Sequence, residues 1–128
     1  ALKTAVSSEA SLEFPDLAVI TLSPLSQINL INTNPDSFLV NQVSGEVNYA
    51  LSDASAHHLS VRLLHLLVEL DAGSALVTVD GSRIDIYAPH GSLRIAYEDK
   101  DNTTRIVDLS GRHMIFNDSS RSYLLRRR

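Results

Sequence analysis

Apolar and polar residues alternate along much of the chain, most regularly over residues 75–116. Leu93, Ile95 and Tyr97, for example, occupy every second position of one run. A period of two is typical of strands with one face in the core and the other in solvent. Asp80-Gly81 lies between two such runs and predicts a tight hairpin, because primed two-residue turns need positive φ. The pattern therefore predicts successive β-hairpins.

The N-terminal half contains further short β-prone runs, at residues 19–22, 27–31, 38–43 and 46–51. Residues that favour turns separate them: Pro15-Asp16, Ser23-Pro24, Asn34-Pro35-Asp36 and Ser44-Gly45. Turn signals spaced roughly every 8 to 12 residues are typical of sandwiches and barrels. We therefore expect an all-β fold, with two twisted antiparallel sheets forming a sandwich or short β-roll and few or no helices.

All five glycines stand at the ends of these runs. We expect each of them to form a structural turn, because glycine adopts positive φ without steric cost. They are Gly45, Gly73, Gly81, Gly91 and Gly111.

The segment 55–73 fits two different structures. One face of an amphipathic helix would carry five apolar residues: Val61, Leu64, Leu67, Val68 and Leu70. Gly73 would then cap the C-terminus of that helix. The position of the segment between two hairpin regions favours two strands that turn near His65. We favour strands, although the sequence leaves residues 57–70 open between the two.

The chain of 128 residues fits a single domain. We expect a flexible segment at residues 1–9, one β domain at 10–125 and a basic tail at 126–128. The net charge of −4 falls to −7 if the three arginines of that tail are left out. A groove for nucleic acid is not indicated, because phosphate binding needs a clustered basic face.

Cysteine is absent, which excludes disulfides and thiolate zinc sites. The longest aliphatic cluster, residues 63–70, is interrupted by His65 and Glu69 and is too short to span a bilayer. The first ten residues lack the basic and apolar blocks of a signal peptide. We expect any leader or membrane anchor to lie outside this chain.

Histidine is the residue type that first suggests a metal site. His57, His58 and His65 form a cluster in the sequence. Adjacent residues of a strand point to opposite faces, however, while metal ligands must converge on one point. We therefore expect solvated loop histidines and no metal, with His90 and His113 in turns or at the surface.

Carboxylates and serines are the residue types of this chain that could support catalysis. The acids that lie close in sequence are Glu69 and Asp71, and Glu98, Asp99 and Asp101. The second group, extended by Asn102, is typical of a charged hairpin loop. Ser92 follows His90-Gly91 but lacks the second glycine of a nucleophile elbow, and no phosphate-binding glycine loop occurs. We expect neither a catalytic residue nor a cofactor.

Several motifs follow one another in a set order. Residues 43–49 read apolar-x-Gly-Glu-Val-x-aromatic, and residues 68–76 read as an apolar strand that enters a glycine turn. Residues 82–86, 90–95 and 109–111 supply later strands and a final glycine turn. Upstream, residues 15–22 are followed by Ser26 and Ile28. In this order the motifs resemble the FecR-like domain, the periplasmic domain of bacterial regulators that partner iron-starvation sigma factors.

The resemblance covers roughly residues 12–117, with departures. Leu17 stands where the family usually has glycine, Leu76 where it often has phenylalanine, and residues 63–66 lack a turn glycine. The resemblance implies that the acid at Glu46 serves a structural role, through hydrogen bonding that fixes a hairpin.

The same resemblance implies a non-enzymatic, extracytoplasmic signalling domain that works by protein–protein contact. In that family the signal passes from an outer-membrane siderophore receptor, through a membrane helix, to a sigma factor. The implied partner is another envelope protein, such as the signalling domain of the receptor. The alternative is a FecR-like binding or structural module of the cell envelope with no role in sigma-factor regulation.

Leucines form the densest apolar cluster of the chain: Leu63, Leu64, Leu66, Leu67 and Leu70. Either they fill the core, which we favour, or part of the cluster is an interaction patch for a partner. An open sheet edge is a second way to bind another chain.

Overall fold

The computed structural model describes residues 2–3, 9–14, 18–32, 38–51, 59–70, 73–90 and 92–127. These residues form 13 strands and no helix. The strands are β1 (Leu2–Lys3), β2 (Ala10–Phe14), β3 (Ala18–Leu22), β4 (Gln27–Asn32), β5 (Phe38–Leu51), β6 (Leu59–Leu63), β7 (Leu66–Leu70), β8 (Ser74–Asp80), β9 (Arg83–His90), β10 (Ser92–Glu98), β11 (Thr104–Ser110), β12 (Arg112–Asn117) and β13 (Ser122–Arg127). The prediction of an all-β fold is confirmed.

Strand β5 belongs to two sheets. Its first half lies between β4 and β6, and its second half lies between β3 and β8. Within the described residues, the first sheet has the order β11-β10-β7-β6-β5-β4-β1, and the second has the order β2-β3-β5-β8-β9-β12-β13. The molecule is therefore a curled, two-layered structure whose layers share one long strand.

The expectation of wholly antiparallel sheets is wrong at one pair. Strand β6 runs parallel to β5, with Leu59 opposite Phe38 and Arg62 opposite Asn41. The chain leaves the first sheet along β5 and re-enters it at the end where β5 began. A strand that returns in this way must run parallel to its neighbour.

The expected turn at Ser44-Gly45 is also wrong. Gly45 lies inside β5 with a φ of +86°, and the pairing register of β4 and β5 shifts beside it, between Gln27 and Ile28. A glycine in the left-handed region together with a register shift is typical of a β-bulge, which bends a strand. Gly45 therefore redirects β5 from one sheet to the other and does not reverse the chain.

Of the other four glycines, the structure describes Gly73, Gly81 and Gly111. Asp80 pairs with Arg83, so Gly81 and Ser82 form the loop of the predicted β8–β9 hairpin. Gly81 has a φ of +60°, as the first central position of a type II′ turn requires. Gly73 and Gly111 also have positive φ, whereas Gly91 lies outside the described residues.

Residues 59–70 form two strands, as favoured from the sequence. Strands β6 and β7 pair from Leu59–Leu70 to Leu63–Leu66. The turn between them consists of Leu64 and His65, and Leu64 has a φ of +50°. His57 and His58 lie outside the described residues.

The core lies between the two sheets. Val47, Tyr49 and Leu51 alternate with more exposed residues and are buried. The aromatic ring of Tyr97 in the first sheet meets that of Phe116 in the second, with centroids 5.2 Å apart. No helix long and apolar enough to cross a membrane occurs in the described part of the chain.

Both ends of the described chain are paired in strands. Leu2 and Lys3, expected in a flexible segment, pair with Ile28 and Gln27. Arg126 and Arg127, expected in a basic tail, pair with His113 and Arg112. Residues 1, 4–8 and 128 lie outside the described residues.

Candidate functional site

Several apolar residues lie on the outer face of the first sheet. Leu66 and Val68 of β7 are buried, so Leu67 between them faces outward. The register places Arg62 and Ala96 on either side of Leu67, and Ile106 beyond Ala96. Ile106 is 62% exposed. An apolar strip therefore crosses the solvent side of strands β7, β10 and β11.

This strip borders a groove with a volume of about 650 Å³. Its polar lining residues are Ser60, Arg62, His65, Glu98 and Thr104, and its apolar ones are Phe38, Leu39, Leu64, Leu66, Leu67, Ala96 and Tyr97. Exposed apolar surface framed by polar groups is typical of a site that contacts another molecule. We call this feature the sheet groove.

The structure divides the leucine cluster between core and surface. Leu63, Leu66 and Leu70 are buried, with 2% exposure or less. Leu64 is 50% exposed, and Leu67 is half-buried. Leu64, Leu66 and Leu67 line the sheet groove, and of these three Leu64 and Leu67 have exposed surface there.

A hydrogen-bonded network contacts the groove at His65, one of its lining residues. Nδ1 of His65 lies 2.9 Å from both carboxylate oxygens of Asp118, and the main-chain N–H of His65 donates to Asp118 Oδ1 at 3.1 Å. Nε2 of His65 lies 3.1 Å from Nη2 of Arg121, whose Nη1 donates to the carbonyl of Asp99 at 3.1 Å. Three turns are joined in this way: β6–β7, β10–β11 and β12–β13.

The β10–β11 loop is the charged hairpin loop that the sequence predicts. The carboxylate of Asp99 accepts hydrogen bonds from the main-chain N–H groups of Asp101 and Thr103 and from Nε of Arg105. The bond from Arg105 and then that from Thr103 hold the pKa of Asp99 below its ordinary value. The hydrogen bond to Asp99 also raises the pKa of Arg105.

Each of these three turns contains a non-glycine residue with positive φ. These residues are Leu64 at +50°, Asn102 at +60° and Arg121 at +50°, and Leu25 is the other one in the described part of the chain. A left-handed conformation costs an L-residue about 1–2 kcal/mol. Backbone strain of this kind is concentrated at functional sites. It supports the part of the groove next to His65 as the candidate site.

Sequence reasoning missed the buried polar pair of β5. The hydroxyl of Tyr49 donates to Oε1 of Gln42, and both side chains are almost completely buried. Burial raises the pKa of Tyr49 far above its ordinary value. A signal was present, because Gln42 occupies the inward position that follows Phe38 and Val40 in the alternation.

Glu46 forms hydrogen bonds through its main-chain groups. Its N–H donates to Oγ of Ser26 at 3.0 Å, and its carbonyl accepts from the same hydroxyl at 3.0 Å and from the N–H of Ser23. The side chain of Glu46 is exposed. The hydrogen bonds therefore join β5 to the loop before β4.

The other residues weighed from the sequence do not converge. His113 lies in β12 on the second sheet, with Nε2 3.5 Å from Oδ1 of Asp85, and Glu69 is half-buried in β7. Asp71 lies outside the described residues. Among the residues that the structure describes, no group of three or more His, Asp and Glu could hold a metal ion.

Comparisons with known proteins identify the fold. No family model matches the chain, and no curated protein matches it. Two crystal structures of what is named a "putative anti-sigma factor" from Parabacteroides distasonis match 98% of the chain, with TM-scores of 0.77 and 0.76 and sequence identities of 14% and 15%. The chain spans 58% of the length of these neighbours. It therefore has the fold of a large part of those proteins.

Proposed function

We propose that the chain is a FecR-like domain of a sigma-factor regulator, which works outside the cytoplasm and relays a signal by contact with another protein. The observation that carries this proposal is the fold match over 98% of the chain to crystal structures named as anti-sigma factors. The order of the motifs over residues 12–117 supports the same family.

The sheet groove is the contact surface in this proposal. Leu64 and Leu67 supply apolar area, and Arg62 and Glu98 supply charges of opposite sign beside it. An apolar centre with polar groups around it is the usual composition of a specific protein interface. The partner is an envelope protein, such as the signalling domain of an outer-membrane receptor. Binding would favour one arrangement of exposed surfaces over another.

The test is retention of a receptor signalling domain from an envelope fraction by the immobilised chain, with bound proteins identified by mass spectrometry. The informative variant is Leu67→Glu, which places a charge in the groove. Leu76→Glu is the matched control, because Leu76 is a half-buried, outward-facing leucine in the middle of β8 on the second sheet.

We expect the unsubstituted chain and Leu76→Glu to retain the receptor domain and Leu67→Glu to lose it. Equal retention by all three chains would remove the groove from the proposal. If no receptor signalling domain is retained and other envelope components are, the chain is an envelope module and not a regulator.

A further inference from the structure

We infer that His65 forms an acid-sensitive latch between the β12–β13 turn and the rim of the sheet groove. Both ring nitrogens of His65 are engaged: Nδ1 with the carboxylate of Asp118 at 2.9 Å, and Nε2 with the guanidinium of Arg121 at 3.1 Å. The imidazole therefore lies between an anion and a cation of the same turn.

The chemistry of the two partners assigns the tautomer of His65. A guanidinium only donates hydrogen bonds, so Nε2 must accept and carries no proton. An ionised carboxylate only accepts, so Nδ1 carries the proton and donates to Asp118. The neutral imidazole satisfies both contacts, whereas the imidazolium has no acceptor to offer Arg121.

Protonation of His65 therefore acts on the two contacts in opposite directions. The N–H added at Nε2 faces an N–H of Arg121, so two donors and two positive charges meet about 3 Å apart. The contact with Asp118 becomes an ion pair and is kept. Acid thus releases Arg121 from His65 and leaves Asp118 in place.

The other charged groups near His65 either form hydrogen bonds of their own or line the groove. Asp99 is bonded to Arg105, and its carbonyl accepts from Arg121. Arg62 and Glu98 line the groove, as His65 does. Imidazole is the side chain whose ordinary charge change falls between pH 5 and 8.

Release of Arg121 would alter the β12–β13 turn beside His65, which lines the groove. Arg121 holds the left-handed φ of +50° while it bridges His65 and Asp99. Once one of these contacts is lost, the turn is free to relax toward an unstrained conformation. An effect of pH on partner binding rests on the proposed function, whereas the latch itself does not.

The experiment is an NMR titration of the ¹⁵N-labelled chain from pH 8 to 5. We expect the Nδ1–H tautomer of His65 at pH 8, with its protonation followed by the amide signals of residues 119–121. The amide signals of Val47 and Val77, which pair with each other in the second sheet, serve as the internal reference. They should stay unchanged, because their bonds do not involve the imidazole.

Two variants separate the latch from a general effect of pH. His65→Gln supplies an amide donor and a carbonyl acceptor without titrating, so the shifts at residues 119–121 should disappear. His113→Gln, the matched control on the second sheet, should leave them unchanged. Arg121→Gly fits the positive φ and removes the guanidinium, so the turn should no longer follow the histidine.

An Nε2–H tautomer at pH 8, or amide signals at 119–121 that ignore the titration of His65, would overturn the latch. So would shifts that persist in His65→Gln. The NMR measurement needs no partner. If the chain retains no receptor domain but these signals still titrate, the proposed function is refuted and the latch is not.

Discussion

The hydroxyl of Tyr49 donates a hydrogen bond of 2.9 Å to Oε1 of Gln42, seven residues earlier in the same strand. Nε2 of Gln42 donates to the carbonyls of Gly45 and Val77, both at 3.0 Å. Gln42 lies in the part of β5 that pairs within the first sheet, and Tyr49 in the part that pairs within the second. This buried pair therefore joins the two halves of β5 across the bend at Gly45.

Replacing Tyr49 by phenylalanine tests that connection. The change leaves Oε1 of Gln42 buried without its donor, which we expect to lower the free energy of unfolding by about 1–3 kcal/mol. Urea unfolding of the variant measures the loss. Tyr123→Phe is the control, because Tyr123 is 40% exposed, and it should change stability by less than about 0.5 kcal/mol. Equal losses would contradict the role of the pair.

Alkaline pH should destabilise the fold through Tyr49. Because burial raises the pKa of this phenol in the folded state, the folded chain holds its proton more tightly than the unfolded chain. The stabilisation is complete below about pH 10, the ordinary tyrosine pKa, and is lost as the pH rises above it. Unfolding midpoints between about pH 9 and 12 should fall more steeply for the unsubstituted chain than for Tyr49→Phe. Parallel curves would exclude Tyr49 as the cause.

Alanine at Gly45 should be far more costly than alanine at Gly81. Both glycines have positive φ, so both variants incur backbone strain of about 1–2 kcal/mol. A Cβ at Gly45 would also overlap Oγ of Ser26 and lie 2.5 Å from Cα of Ser26, whereas one at Gly81 would meet nothing within 4 Å. We expect Gly45→Ala to lose about 1–3 kcal/mol more in thermal or urea unfolding. Similar losses would mean that Ser26 moves aside.

The leucine cluster should respond to alanine according to position. Leu66→Ala removes a side chain that is 2% exposed, so it should cost about 2–5 kcal/mol of unfolding free energy. Leu64→Ala changes a half-exposed residue and leaves the positive φ occupied by an L-residue, so it should cost less than about 0.5 kcal/mol. A large loss at Leu64 in urea unfolding would place that side chain in the core.

Strong acid should open the β10–β11 loop. The hydrogen bond from Arg105, followed by that from Thr103, keeps the pKa of Asp99 low. Its stabilisation of the loop is therefore complete above about pH 4 and is lost as the pH falls further. Amide signals of Asp101 and Thr103 should shift together as the pH falls below about 4. Asp99→Asn should abolish this shift, and Asp108→Asn, at a side chain that is 80% exposed, should not.

Local alternation was sufficient to predict an all-β chain and several of its strands, but not β1, β2 or β13. Val47, Tyr49 and Leu51 are buried as their spacing indicates, because successive side chains of any strand point to opposite faces. The charged loop at residues 99–103 was predictable for a similar reason. The hydrogen bonds to the Asp99 carboxylate join residues no more than six positions apart, so a short stretch of sequence contains all of these partners.

Ser44-Gly45 shows where local reasoning fails. A glycine with positive φ serves a hairpin turn and a bulge equally well, and the two are indistinguishable in sequence. What makes Gly45 a bend is the packing of Ser26 against it and the continuation of β5 into a second set of neighbours. Both involve residues at least 19 positions away.

Alternation between neighbouring residues was enough to predict that the chain is all-β and that strands such as β10 turn one face to the core, because both properties depend on residues close in sequence. Three features could be seen only in the folded chain: β5 is shared between two sheets, Leu64 and Leu67 are more exposed at the groove than Leu66, and His65 meets Asp118 from 53 positions away. These features depend on strand order and register, which arise from the packing of distant segments and leave no period in the sequence.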